Sequence, residues 1–153
     1  PEAVGKIIRI KKRDDRKSML VLIDDAARLS SYVEEIPGMA FTLIQITDKP
    51  LTIIYPGAKN LAANLIAEDG SAGIRITPDP FCRTLIKKLG RPLVSTSANL
   101  SGEPAPSAFS EISGQIRQQV DYVVDWRRDE SFRTAPSSII KFDRKGVITI
   151  IRR

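Results

Sequence analysis

Histidine is absent from the 153 residues, and Cys82 is the single cysteine. These two absences exclude an internal disulfide, a histidine-dependent catalytic triad and any zinc site built from cysteine and histidine. Aromatic residues make up only 6% of the chain, too few for the stacking platforms that grip single-stranded nucleic acid. No apolar run approaches the roughly 20 residues of a membrane-spanning helix, and no signal-peptide pattern is present. No membrane association is therefore expected, and a reducing, cytoplasmic setting fits a chain this poor in cysteine. The phosphate-binding motifs G-x-x-x-x-G-K-[ST] and G-x-G-x-x-G are missing, as is the metalloprotease motif H-E-x-x-H. A nucleotide site in this chain has to be made from side chains and strand ends.

What is present describes a globular domain with one core. Hydrophobic residues account for 42% and charged residues for 27%, proportions that exclude disorder and fibrous repeats. The net charge of +6 is uneven: residues 1–17 hold seven Lys or Arg against three acids, and residues 141–153 hold five against one. Concentrated positive charge suits polyanions such as nucleotide phosphates, RNA or acidic lipid, although scattered solvated lysines give the same sum.

Periodicity predicts alternating helices and strands. Val4, Ile7 and Ile8 form the apolar stripe of a helix to about Lys12, and the next position of that stripe is Lys11. Strands are predicted at 19–23, 50–55, 73–77, 92–96 and 122–126, and a hairpin pairs 138–142 with 147–151 through the 143–146 turn. Asp24 and Asp25 cap a helix through Val33, Pro37 opens another, and Asp79-Pro80 opens a third that stops at Gly90. Short helices are predicted at 60–67 and from Ser107 to about Gln118, with a loop at 97–107. The pattern implies an α/β (α+β) single domain over residues 1–153, a twisted mixed β-sheet with flanking helices.

Three local patterns are candidates for chemistry. In Lys11-Lys12-Arg13-Asp14-Asp15-Arg16-Lys17, cations either complement a helix C-terminus or, with Lys11 on the inward stripe and Arg13 and Lys17 following, clamp phosphates. In the strand from Ser71 to Thr77, alternation sets Ser71, Gly73, Arg75 and Thr77 on one face and Ile74 and Ile76 on the other. Arg75 then faces solvent, a carboxylate or a ligand, and Gly73 allows close approach. In Ser95-Thr96-Ser97-Ala98-Asn99-Leu100-Ser101-Gly102, hydroxyls and an amide crowd the end of an apolar strand. They act there as turn formers or as ligand donors and acceptors.

That last octet, preceded by Gly90-Arg91-Pro92-Leu93-Val94, resembles the signature of the YrdC/YciO superfamily, and more narrowly of the threonylcarbamoyl-AMP synthases. Ile10-Lys11-Lys12-Arg13 resembles the family's K-x-R, and Ser71 to Arg75 its T-x-x-x-R strand. Pro136-Ser137-Ser138-Ile139-Ile140 is similar to its late S-T-[IV]-[VI] strand, and Ile150-Ile151-Arg152 to its closing strand. The resemblance implies a YrdC-like fold and an L-threonylcarbamoyladenylate synthase. Such an enzyme condenses L-threonine, bicarbonate and ATP, releases pyrophosphate, and supplies the machinery that makes t6A at adenosine 37 of tRNA. It implies that Lys11, Arg13, Lys17, Ser71, Ser97, Asn99 and Arg152 bind ATP, with Lys11 and Arg13 catalytic. It further implies that Arg75, Ser95 and Ser137 bind L-threonine, that Mg²⁺ arrives carried by ATP, and that no residue is a protein metal ligand. Alternative readings within the superfamily are a double-stranded RNA or tRNA-binding module and a YciO-like relative with another substrate.

The chain departs from the family pattern in places. The family's first strand, P-T-[DE]-[TS]-x-[YF]-G-[LV], is expected upstream of Pro1, so the domain reads as N-terminally incomplete. Asp48-Lys49-Pro50-Leu51-Thr52 stands where many members have W-P-G-P-x-T. Leu22 occupies a position at which some members place a threonine-contacting histidine, and Ala105 one at which some place a serine.

Overall fold

A computed structural model describes residues 1–12, 19–130 and 136–153. The chain forms two compact units, one from residues 1–17 and 96–135, the other from 18–95 and 136–153.

The larger unit is built on a six-stranded sheet. Its strands are β1 (Leu20–Ile23), β2 (Leu51–Tyr55), β3 (Ala72–Ile76), β4 (Leu93–Ser95), β5 (Ser138–Phe142) and β6 (Ile148–Arg152), in the spatial order β4-β1-β3-β2-β5-β6. β1 with β3 and β2 with β5 run parallel, and the remaining neighbours are antiparallel. The mixed sheet is the one the alternating pattern predicts. One face carries the core: Ile23, Ile53, Tyr55, Ile74, Ile140 and Phe142 pack with Leu29, Val33 and Ala40, and the Tyr55 and Phe142 rings stack at 6.4 Å. Burying these branched and aromatic side chains at about 1.5–3 kcal/mol each fixes the register of β1, β2, β3 and β5, the four strands that carry them.

Helices connect these strands. Asp25 caps the turn after β1 by accepting from the Ala27 N–H at 2.9 Å, but the segment Ala26–Ser31 is a 3-10 helix rather than an α-helix running to Val33. Gly38–Ile46 is an α-helix opened by Pro37. Pro80–Leu89 is another, begun by Asp79 accepting from the Cys82 N–H at 2.8 Å and ended by Gly90 in the left-handed conformation. The helix predicted at 60–67 shrinks to one 3-10 turn, Ala63–Leu65. Asn60 takes a positive φ and donates to the Ser31 carbonyl at 2.8 Å, and Ala62 is extended, so no longer helix nucleates.

The smaller unit contains the helix Glu2–Lys11 and the short helix Gly114–Gln119. The single helix predicted from Ser107 is in fact a 3-10 turn, Phe109–Glu111, and that short helix, separated by an extended Ile112 and re-capped by Ser113. The strand predicted at 122–126 is not formed. The Val123 and Val124 carbonyls accept from the Arg128 guanidinium at 2.8 and 2.9 Å, so a side chain takes the places a ladder would use. Among the described residues, no helix is long and apolar enough to cross a membrane.

Candidate active site

The face of the sheet opposite the core carries the polar residues. Strand alternation places Leu22, Thr52, Gly73, Arg75, Ile139 and Lys141 there. The pairing register lines up one cross-strand row. Leu93 faces Leu22, Leu22 faces Arg75, Thr52 faces Ile139, and Ile139 faces Arg152. Continuing the β2–β3 register by one residue sets Thr52 opposite Arg75. The predicted grouping of Arg75 with Gly73 is therefore correct. A Cβ on Gly73 would meet its nearest neighbour, Thr52 Cγ2, at an ordinary 3.6 Å, so crowding within the protein is not what requires glycine there.

Around Arg75 the row closes into a network. Its Nε donates to Thr52 Oγ1 at 3.1 Å and its Nη2 to Ser137 Oγ at 2.9 Å. Arg152 donates from Nε to the Ser137 carbonyl at 2.9 Å and from Nη2 to Ser137 Oγ at 3.3 Å. Thr52 and Ser137 are buried, and their hydroxyls lie 3.1 Å apart. Two guanidiniums thus converge on two neutral hydroxyls, and no carboxylate joins them among the described residues. Burial, and secondarily the charge of Arg152, push the Arg75 guanidinium below its ordinary value. Each arginine uses the Nε–Nη2 edge on the protein, which leaves the Nη1–Nη2 edge for a planar anion.

Ser71 lies two residues before Gly73 and is 3% exposed. Its hydroxyl donates to Asp69 Oδ1 at 2.6 Å, and its backbone N–H reaches the same oxygen at 3.0 Å. Lys141 pairs with the other Asp69 oxygen. The ammonium first, then the Ser71 hydroxyl, hold the Asp69 carboxyl down at about 2. With its proton committed to Asp69, Ser71 has only lone pairs to offer a ligand. Ser95 shares this face and pairs with Leu20, which pairs with Gly73. It therefore stands two strands from Gly73, about 10 Å at ordinary strand spacing.

The smaller unit holds the other predicted set. Lys11 is 4% exposed, on the stripe that also buries Val4. Its ammonium donates to the Ser97 carbonyl and, at 2.6 Å, to the Asn99 carbonyl, while the Ser101 N–H returns to the Lys11 carbonyl at 2.9 Å. Lys12, next in the chain, is exposed and takes a left-handed φ of 49° as the helix ends. The Asn99 side-chain amide donates to the carbonyls of Leu100 (3.0 Å) and Glu103 (2.6 Å). That leaves Asn99 Oδ1 buried with no hydrogen-bond partner among the described residues, an acceptor able to take one donor. Arg13 and Lys17 lie outside the described residues.

Thr52, Asp69 and Lys141 take part in these networks and were not singled out from sequence. Thr52 carried a signal, since it alternates with the core residues Ile53 and Tyr55 on β2. Asp69 and Lys141 lie far apart in the chain, and only the sheet brings them together. Two cavities of about 470 and 440 Å³ also occur in the larger unit. The first mixes Asp24, Asp25 and Asp48 with Lys49 and Arg83, the second Glu34 and Glu35 with Arg144 and Lys145. Neither includes a predicted site residue, and their mixed charge suits an anion less well than the arginine network does.

Fold and network together define a mixed-sheet protein whose polar face sets two guanidiniums on buried hydroxyls. The family model Sua5/YciO/YrdC, described as "Telomere recombination", matches residues 1–153. A threonylcarbamoyl-AMP synthase of Idiomarina loihiensis is 35% identical over 133 residues, which are 84% of this chain and 69% of that protein. E. coli YciO matches with a TM-score of 0.80 at 26% identity, over 99% of this chain and 72% of that one. P. abyssi Sua5, solved with L-threonine, matches with a TM-score of 0.78 at 22% identity, over 92% of this chain and 41% of that one. The chain belongs to the Sua5/YciO/YrdC family.

Proposed function

We propose that this chain carries the activity of a threonylcarbamoyl-AMP synthase, making threonylcarbamoyl-AMP and pyrophosphate from L-threonine, bicarbonate and ATP. The observation that carries this reading is the meeting of Arg75 and Arg152 on Ser137, with Arg75 also on Thr52, two cations with no carboxylate among the described residues. The relationship to the Idiomarina synthase supplies the chemistry for which such a site is suited.

In this reading the free edge of Arg75 takes the threonine carboxylate as a two-point contact. The threonine amine forms an N–C bond to the bicarbonate carbon with loss of water. The resulting carbamate oxygen then attacks the α-phosphorus of ATP, and the bond from that phosphorus to the bridging oxygen breaks to release pyrophosphate. Displacement at phosphorus depends on alignment and charge neutralisation more than on a strong base, so a chain without histidine is suited to it. Ser97, Asn99 and Lys11 would serve the nucleotide, together with Arg13 and Lys17. The vacant Asn99 Oδ1 would accept one donor from it.

Mg²⁺ would reach the site on the triphosphate. Among the described residues no three Asp, Glu or Cys side chains gather as a metal site, and guanidiniums and hydroxyls fit phosphate oxygens rather than the ion. When bound, the ion would neutralise charge on the departing pyrophosphate. The product would pass to a transferase acting on adenosine 37 of tRNA, in the cytoplasm. Pyrophosphate release from ATP that depends on both threonine and bicarbonate is the expected result with purified protein. Release that ignores threonine refutes the assignment.

A further inference from the structure

We infer that Thr52 is a positioning residue that locks the Arg75 guanidinium for its carboxylate, an inference that rests on the function proposed above. Ser137 Oγ accepts from Arg75 Nη2 at 2.9 Å and from Arg152 Nη2 at 3.3 Å. A hydroxyl oxygen has two lone pairs, so both acceptor places are taken. The Ser137 proton must be donated, and Thr52 Oγ1 stands 3.1 Å away. Thr52 Oγ1 then accepts twice, from Ser137 and from Arg75 Nε at 3.1 Å.

This order fixes one edge of Arg75 completely. Its Nε and Nη2 hydrogens end on two buried hydroxyls carried by adjacent parallel segments, with Thr52 on β2 and Ser137 just before β5. Thr52 is 2% exposed and Ser137 4%, so water does not compete for these bonds. The guanidinium plane is held, and its Nη1–Nη2 edge is presented in one orientation. Arg152 is less dependent on this pair, because its shorter bond, 2.9 Å, goes to the Ser137 backbone carbonyl.

Thr52→Val keeps the shape of the side chain and removes both acceptor places. In steady-state assays of pyrophosphate release, the KM for threonine should rise about tenfold, the effect of losing one hydrogen bond to a charged group. At saturating threonine kcat should stay within about twofold, and so should the KM for ATP. Thr52→Ser should restore the threonine KM to within about twofold of wild type. A second readout needs no substrate: in proton–nitrogen NMR, the Arg75 Nε–H of the wild type should exchange slowly, and in Thr52→Val at least about tenfold faster.

An unchanged threonine KM in Thr52→Val overturns the inference, as does a Thr52→Ser variant as impaired as Thr52→Val. Should Thr52→Val fail to fold, the wild-type signal decides: an Arg75 Nε–H exchanging as fast as an exposed arginine refutes the lock. A wild type with no threonine-dependent turnover refutes the proposed function, and the role of Thr52 falls with it. Normal turnover combined with an indifferent Thr52→Val refutes this inference alone.

Discussion

Replacing Lys11 by methionine separates two roles that its position combines. Its ammonium is almost wholly buried in the smaller unit and donates to the carbonyls of Ser97 and Asn99. Methionine retains most of the stem and removes the charge and its donors. A hydrogen bond from a charged group contributes about 1.5–3 kcal/mol. Losing two, with water reaching part of the vacated space, should cost roughly 3 kcal/mol. For a chain of this size about 2–4 °C accompanies each kcal/mol, so Tm should fall by about 6–12 °C. Lys12→Ala, at an exposed position, should change stability by less than about 0.5 kcal/mol. Thermal denaturation followed by circular dichroism in the absence of ligand measures both. If Lys11→Met melts with the wild type while ATP binding is lost, the ammonium serves the ligand rather than the 97–101 loop, and the geometry has been misread.

Arg75→Met should abolish threonine-dependent pyrophosphate release while leaving Tm unchanged or raised. The arginine gives up solvation beside Arg152 with no carboxylate in return among the described residues, as expected where a side chain is kept for function at the expense of stability; a large drop in Tm with activity retained contradicts this. Asp69→Asn should remove an acid-sensitive part of the stability. The folded carboxyl, at about 2, lies below its ordinary 3.8, so its contribution is complete above about pH 4 and disappears as pH falls toward about 2. Asp69 is half exposed, which keeps that contribution below about 1 kcal/mol, and melts of the two proteins should converge at about pH 2 and differ at pH 6. Raising salt from about 50 to 200 mM should change the threonine KM less than about threefold, whereas an RNA-binding module making several phosphate contacts would lose affinity by about 10³-fold or more. Titrations with threonine and with tRNA at both salt concentrations distinguish the two.

Much of the fold was legible because core formation leaves a periodic trace. Ile53 and Tyr55, Ile74, and Ile140 and Phe142 each recur at the strand period, and all five enter one core. Helix boundaries were legible where a side chain or a glycine marks them, as with Asp79 and Gly90. Tyr122, Val124 and Trp126 imitate a strand, but all three are exposed, and the backbone there is satisfied by Arg128, a contact that periodicity does not encode. The site was legible one strand at a time. Alternation places Arg75 on the right face, but the placement of β2 and β5 beside it, and hence Thr52 and Ser137, depends on the order of strands in the sheet. The resemblance makes Ser71 a ligand group, but nothing in the local sequence shows that its proton goes to Asp69, a carboxylate that only the folded chain orients.

The site and the core are consequences of a single register. On β3, Ile74 is sealed among core side chains, and the next residue, Arg75, necessarily emerges on the opposite face. Sliding β3 by one residue would drive the guanidinium into the core and expose Ile74, at a cost far above the few kcal/mol that separate folded from unfolded chains. The same holds for Thr52 beside Ile53. The apolar pattern therefore aims the polar residues, and no polar interaction has to be strong for the arginine network to assemble. Arg75 can consequently be held beside Arg152 with no counter-charge among the described residues, because the energy that keeps Arg75 there comes from the isoleucines, tyrosine and phenylalanine on the far side of the sheet. In the function proposed above, an anionic ligand would meet an electrostatic demand that folding leaves unmet, the condition under which binding energy can be directed to orientation.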